Sequence, residues 1–376
     1  MSAMEMVRPW LTCVKRNLLP TRHGHQAKAL ALISWAMAAT GSCSSGAVAA
    51  RVPGVATPAS AGRRLERVLA NARLDATAAM LELSGSLLRD WGGGAGRRLL
   101  LILDETPKGN DLRCMKLSVA YRKRTVTLLA VCYAPDRPPV PLPKLVRRML
   151  RQVAARMPAD ADVTLLADRG LCWPTLIRCC RRLRWHYLLR LQCGTRVRPA
   201  DADEADAAEA AEAEVPRELP VRELAPHPGA RWFGPVRIFK RAHWLRANVA
   251  AVWEAHAEGP WLLVTDQPAN YRGCCRRYCK RTWCEESHRD EKSGGLNWQR
   301  SRVRDPAHAQ RLVLLIALAN LLCITLGAGA IKRGLRHLFE PRRRRMLSVF
   351  QLGMRWLGWA MAHDQPLSPM PSLPPP

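Results

Sequence analysis

The chain is short of negative charge. It carries 31 Asp and Glu against 59 Lys and Arg, a formal net charge of +28 over 376 residues. Such a balance points to a polyanion as partner, nucleic acid before membrane surface. Arg dominates the basic set, and its planar fork suits bidentate phosphate contacts better than Lys does. No CxxC pair is present, which removes the usual zinc-finger frame. The 13 cysteines are odd in number and scattered, with two adjacent pairs, which excludes the disulfide framework of a small secreted domain. Cys274, Cys275, Cys279 and Cys284 lie close in sequence, but Cys279 and Cys284 fall on an expected helix, so zinc is not the favoured reading of that cluster. No internal repeat is found. Only one apolar run, Leu312 to Ile331, is long enough to span a bilayer. It is broken by Asn320 and Thr325 and follows polar chemistry directly, so we read it as a helix buried in a core. Ala29 to Ala39 is likewise read as a buried helix rather than a signal peptide.

At 48% hydrophobic the chain can bury a sizeable core, and its length allows two or three domains. Residues 1–95 are expected to be all helical: Gln26 to Thr40, Ser44 to Arg51, Ser60 to Leu74, and Ala76 to Asp90 with Asp75 as N-cap. The turn at Val52-Pro53-Gly54 before the basic helix is compatible with a helix-turn-helix reader. A Gly-rich hinge, Gly92-Gly93-Gly94, closes this part. The period then changes. Arg98 to Asp104 is an apolar run ending in a carboxylate, the form of a buried strand. Cys114 to Tyr121 and Thr125 to Tyr133 read as a hairpin. A basic helix, Leu145 to Met157, follows. Val163 to Asp168 is a second apolar run ending in a carboxylate, then come a helix, Trp173 to Leu183, and a strand, Trp185 to Leu191. The order β-β-β-α-β-α-β is the layout of a ribonuclease-H-like core in an α/β fold, expected over 96–192.

Residues 200–218 are an Ala/Asp/Glu tract expected to lack fixed structure. Strand-like alternation over 193–267 reads as a small β-rich insertion. The second part of the core is expected over 268–335. Residues 336–376 hold a basic run, an amphipathic helix from Leu347 to Met361, and a Pro-rich tail.

The chemistry concentrates in Tyr278 to Lys292, YCKRTWCEESHRDEK. The stretch has no Gly or Pro, so one continuous helix is expected. At roughly 100° per residue, Tyr278, Arg281, Glu285, His288 and Lys292 share a face. A polar stripe at core spacing is either a solvated face or an active site. The strand order decides between them, because it brings Asp104 and Asp168 together at the ends of adjacent parallel strands, with a helix able to present Glu285 there. Three converging carboxylates repel unless cations lie between them. Hard oxygen ligands select Mg²⁺, with Mn²⁺ able to substitute. Two such ions suit an in-line phosphodiester displacement. Arg281 and Lys292 then have a role in holding phosphates.

On Asp104, on Leu166-Ala167-Asp168-Arg169-Gly170, on the Tyr278, Arg281, Glu285, Lys292 spacing and on Ser301-Arg302-Val303-Arg304-Asp305, the chain resembles the IS-four family of insertion-sequence transposases, which are DDE enzymes. The resemblance covers most of the chain, and the 285 − 168 = 117 residue gap fits the family's β-rich insertion. It implies that Asp104, Asp168 and Glu285 are the catalytic, metal-binding carboxylates. It implies DNA contacts for Tyr278, Arg281, Lys292 and Arg169, and base stacking by Trp283, with Trp298 or Trp244 as alternatives. It implies double-stranded DNA as substrate, a homodimer in a paired-end complex, no membrane, and a cytoplasmic, nucleoid-associated bacterial protein. The alternative is a relative that binds DNA without catalysis. Cys284, His288 and Glu291 depart from the family's common Ile, Phe and Leu, and such polar residues on a packing side are expected to loosen the helix.

Overall fold

The computed structural model describes residues 2–18, 24–54, 57–92, 98–200, 218–268 and 271–367. Gly93 and Gly94 of the expected hinge, residues 201–217 of the acidic tract and 368–376 of the Pro-rich tail lie outside them.

Five helices come first: α1 (Ala3–Leu18), α2 (Gly24–Thr40), α3 (Ser45–Ala49), α4 (Pro58–Ala70) and α5 (Ala76–Gly92). Asp75 caps α5, accepting from the Ala78 amide at 2.9 Å, as its position before an apolar helical run predicts. α2 has Leu30 through Ala38 buried on every side, so its lack of amphipathicity reflects a central place in the core.

A mixed sheet follows, in the order β3-β2-β1-β4-β5-β10-β9-β8-β6-β7. β1 (Arg98–Lys108), β2 (Leu112–Tyr121) and β3 (Arg124–Tyr133) are antiparallel. The chain crosses through α6 (Leu142–Ala154) to β4 (Asp162–Ala167), parallel to β1, and through α7 (Pro174–Arg182) to β5 (His186–Arg190), parallel to β4. These apolar strands are buried on both faces, as parallel strands between helical layers must be. Leu99, Leu101 and Leu103 of β1, with Val163, Leu165 and Ala167 of β4, face the main core. Ile102 and Leu166 face the opposite side, where Cys274, Tyr278 and Cys284 cover them.

The strands of the expected β-rich insertion extend the same sheet. β6 (Arg196–Pro199), β7 (Leu219–Pro220), β8 (Arg231–Ile238), β9 (Leu245–Val252) and β10 (Trp261–Thr265) form one antiparallel run, and β10 pairs with β5 from Leu263↔Arg190 to Thr265↔Leu188. The edge of β5 would otherwise present unpaired backbone groups. Ala250 of β9 faces one core side and Val249 and Ala251 the other, so the strand is clad on both faces.

Four α-helices follow: α8 (Tyr271–Tyr278) and α9 (Thr282–Lys292) over the sheet, then α10 (Pro306–Lys332) and α11 (Val349–Ala362). α10 starts at Asp305, which accepts from the His308 amide at 2.8 Å, with Pro at the first position. It is long and apolar enough to cross a membrane, yet 94% of its apolar window is buried within the molecule. α10 and α11 cross backbone to backbone at Gly327 and Gly353. A Cβ on Gly353 would stand 1.7 Å from the Cys323 carbonyl oxygen, and one on Gly327 1.9 Å from that of Val349.

Candidate active site

The register of β1 on β4 builds the base of the site. Leu103 pairs with Ala167, so Asp104 and Asp168 stand one step further along neighbouring strands. Alternation of side chains puts both on the face of Ile102 and Leu166, beneath α8 and α9. Asp168 follows β4 directly and precedes a 3-10 turn, Arg169–Leu171.

The covering segment is not one helix. α8 stops at Tyr278, a 3-10 turn spans Cys279–Arg281, and α9 starts at Thr282. The backbone stays right-handed through Tyr278 and Arg281, so the axis tightens without breaking. Tyr278 is set apart from the other signature residues. It is buried, packs edge-on against Trp261 at 5.5 Å, and donates to the Ala167 carbonyl at 3.3 Å. It therefore holds the end of β4 from the α8 side.

Arg281 occupies the centre. Its guanidinium reaches Asp104 at 2.9 Å, Glu285 at 2.5 Å and Asp168 at 3.9 Å. One cation thus spans all three carboxylates, the charge neutralisation that such a convergence requires. The Arg281–Asp104 contact is mostly buried, while Glu285 is 55% exposed and Asp168 37%. The cluster opens to solvent on the Asp168 and Glu285 side.

His288 closes the other flank of Asp104, donating from Nε2 to Oδ2 at 3.1 Å. Burial raises the Asp104 carboxyl, but His288 and Arg281 outweigh it and hold it below its ordinary value. Burial opposes protonation of His288, while Asp104 and Glu291 raise its pKa on balance.

Behind His288 the packing side of α9 is polar. Lys116 from β2 pairs with Glu291, and both side chains are 3% exposed. Arg124 binds Asp290, and Ser287 Oγ accepts from the Thr125 amide at 2.7 Å. These ties fix α9 on β2 and β3, so the polar departures anchor the helix where loosening was expected. Lys116 was missed from the sequence; its signal is a lone Lys inside the apolar strand LRCMKLSVAY. Trp298 is fully buried with Lys116 over its ring. Trp283 is partly exposed with Lys280 5.7 Å from its ring centre, and Trp244 is partly exposed against Arg198. Arg169 is exposed, and Lys292 is half-buried, its pKa lowered by burial and by Lys116.

Asp104 from β1, Asp168 after β4 and Glu285 from α9 thus meet over one face of a mixed sheet with helical crossovers. A family model for the transposase DDE domain matches residues 101–322, more than half of the chain, and the chain belongs to that family. Membership carries transposase activity and a DNA substrate as the family's trait, with divalent-metal dependence general within it. No curated protein sequence matches the chain.

Proposed function

We propose that this protein is an insertion-sequence transposase of the IS-four type that cleaves and joins DNA ends at Asp104, Asp168 and Glu285. The observation that carries the proposal is the convergence of these three carboxylates on the Arg281 guanidinium. The strand order β3-β2-β1-β4-β5 with both crossovers supports a ribonuclease-H-like core. The domain reading is 1–95 for the helical DNA-binding part, 96–192 and 268–335 for the core, 193–267 for the strands that extend the sheet, and 336–376 for the C-terminal part.

The donor set fits hard divalent ions. All three acids offer oxygen, and the position they share already holds a positive group. Mg²⁺ is the expected ion, with Mn²⁺ substituting; bound there, it supplies an activated water or 3′-hydroxyl and stabilises the leaving oxygen. The protein's own residues do the rest. Asp104 is oriented by His288 and Arg281 together. Arg281, released from the triad, offers its guanidinium to a scissile phosphate. Arg169, beside Asp168, and Lys292 extend the phosphate track, and Trp283 offers a stacking face. Tyr278 acts from α8, fixing Ala167 and through it Asp168. The net charge of +28 suits transposon-end and target duplexes, and makes binding strongly salt-dependent. Two copies in a paired-end complex, a nucleoid-associated cytoplasmic location and no membrane complete the reading.

The test is cutting of a labelled duplex spanning one end of the element. Mg²⁺-dependent cleavage at the junction, lost in Glu285→Ala, is expected. Duplex binding with no cleavage in Mg²⁺ or Mn²⁺ would instead mark a DNA binder without catalysis.

A further inference from the structure

A second donor set lies beside the triad, and its chemistry is different. Asp104, Cys284 and His288 each bring one ligand atom into a group whose members all lie within 4.8 Å of one another. Cys284 and His288 are four residues apart on α9, so both project from the same face. Asp104 rises from β1 below them. Cys284 is 2% exposed and His288 8%, so packing holds both donors in place. His288 Nε2 and Asp104 Oδ2 are 3.1 Å apart. A tetrahedral ion with bonds of about 2.0 Å to nitrogen and oxygen spaces those ligands by roughly 3.3 Å, so this pair already has the separation of two ligands on one ion.

The surroundings continue the pattern. His288 Nδ1 is buried without a hydrogen-bond partner and faces Glu291 Oε2 at 3.8 Å. A carboxylate behind the far nitrogen of a histidine is how metal-binding imidazoles are commonly oriented. Glu291 is held in turn by Lys116. Of the four cysteines that cluster in sequence, Cys284 alone belongs to this site. Cys279 is exposed, and among the described residues Cys284 groups with Asp104 and His288 instead.

We propose that Asp104, Cys284 and His288 bind a thiophilic divalent ion, Zn²⁺ foremost, with water in the fourth position. One thiolate, one imidazole and one carboxylate favour Zn²⁺ over Mg²⁺, whereas the all-oxygen triad favours the reverse. On binding, the Cys284 S–H and His288 Nε2–H bonds break; the thiol proton leaves to solvent, the imidazole proton is carried on Nδ1 toward Glu291, and metal–sulfur and metal–nitrogen bonds form, with no change of oxidation state. The ion takes Asp104 Oδ2, while Oδ1 remains on Arg281. Asp104 is then committed, and Arg281 stays across Asp168 and Glu285. Zn²⁺ would thereby hold the enzyme off, a consequence that rests on the proposed catalytic role of Asp104.

Binding is read first, on the metal-free full chain without DNA. Titration with Co²⁺ is expected to give sulfur-to-metal charge-transfer and tetrahedral bands. Both are lost in Cys284→Ser and in His288→Phe, and both are kept in Cys279→Ser. His288→Phe retains all 13 cysteines, so loss of the bands there cannot be ascribed to a missing thiol. Bands at full amplitude in both variants would overturn the site. Thermal melts check folding, and X-ray absorption of the zinc-loaded natural chain decides the matter without any variant. One sulfur among nitrogen and oxygen neighbours is expected; a shell with no sulfur, or with two or more, overturns the proposal. In the end-cleavage assay, Zn²⁺ should suppress cutting by the natural chain and lose that effect in Cys284→Ser, each protein compared with itself without zinc. Suppression of equal size in both would overturn the shared-Asp104 inhibition. A chain that shows the bands yet cuts no DNA under any metal keeps the site and refutes the transposase reading.

Discussion

Replacing Lys116 with Met should cost far more than a surface lysine would. Lys116 and Glu291 face each other from β2 and α9 with 3% of each side chain exposed. At an effective dielectric near 20, unit charges about 3 Å apart attract by roughly 5 kcal/mol. Desolvation of two buried ions consumes most of that gain, so the intact pair contributes little net. Removing one partner leaves the other charged and buried, at a cost of about 3–5 kcal/mol. The double change Lys116→Met with Glu291→Leu removes both charges and returns the position to an apolar contact. It should lie within about 2 kcal/mol of the natural chain, well above either single variant. Urea unfolding at neutral pH, with slopes compared to confirm that the denatured state is unchanged, gives the cycle. Single variants that each lose under about 1 kcal/mol, or a double variant that loses the sum of the two, would refute the reasoning.

Further outcomes follow from the same contacts. Burial raises the Glu291 carboxyl, but Lys116 and His288 pull it down from 4.5 to about 2. A folded value below the unfolded one stabilises above pH 4.5, so the metal-free protein should lose about 3 kcal/mol as pH falls from 4.5 toward 2, and Glu291→Leu should flatten that limb of the stability curve. Arg281→Ala removes the cation that competes for the triad, so calorimetric Mn²⁺ affinity should rise about tenfold, roughly 1.4 kcal/mol, even as cleavage falls; unchanged or weaker binding would count against competition. Tyr278→Phe should cost about 1 kcal/mol of stability and leave end binding in a gel-shift assay intact, since the phenol is buried against the Ala167 carbonyl. Gly353→Ala should prevent the α10–α11 crossing and lower the melting temperature sharply, while Gly358→Ala, whose added Cβ meets nothing within 4 Å, should be tolerated.

The carboxylates were legible because each ends an apolar run, and strand alternation then fixes the face they share. Glu285 and Arg281 were legible through helical spacing, which survives the 3-10 turn at Cys279–Arg281. That turn was not legible, since the stretch lacks any Gly or Pro to mark it. Nor was the joining of β10 to β5, because strand pairing depends on partners distant in sequence, and local alternation says nothing of which edge a strand will find. The Lys116–Glu291 pair spans 175 residues, so Glu291 in sequence is only an acid where a relative has Leu. The same holds for His288, whose purpose emerges only when Asp104 is set beneath it.

The most direct measurement is a crystal structure with Mn²⁺, located by its anomalous scattering. Density is expected among Asp104, Asp168 and Glu285, with the Arg281 guanidinium moved off the three carboxylates. Manganese bound only elsewhere, with Arg281 still spanning the triad at full metal saturation, would contradict it.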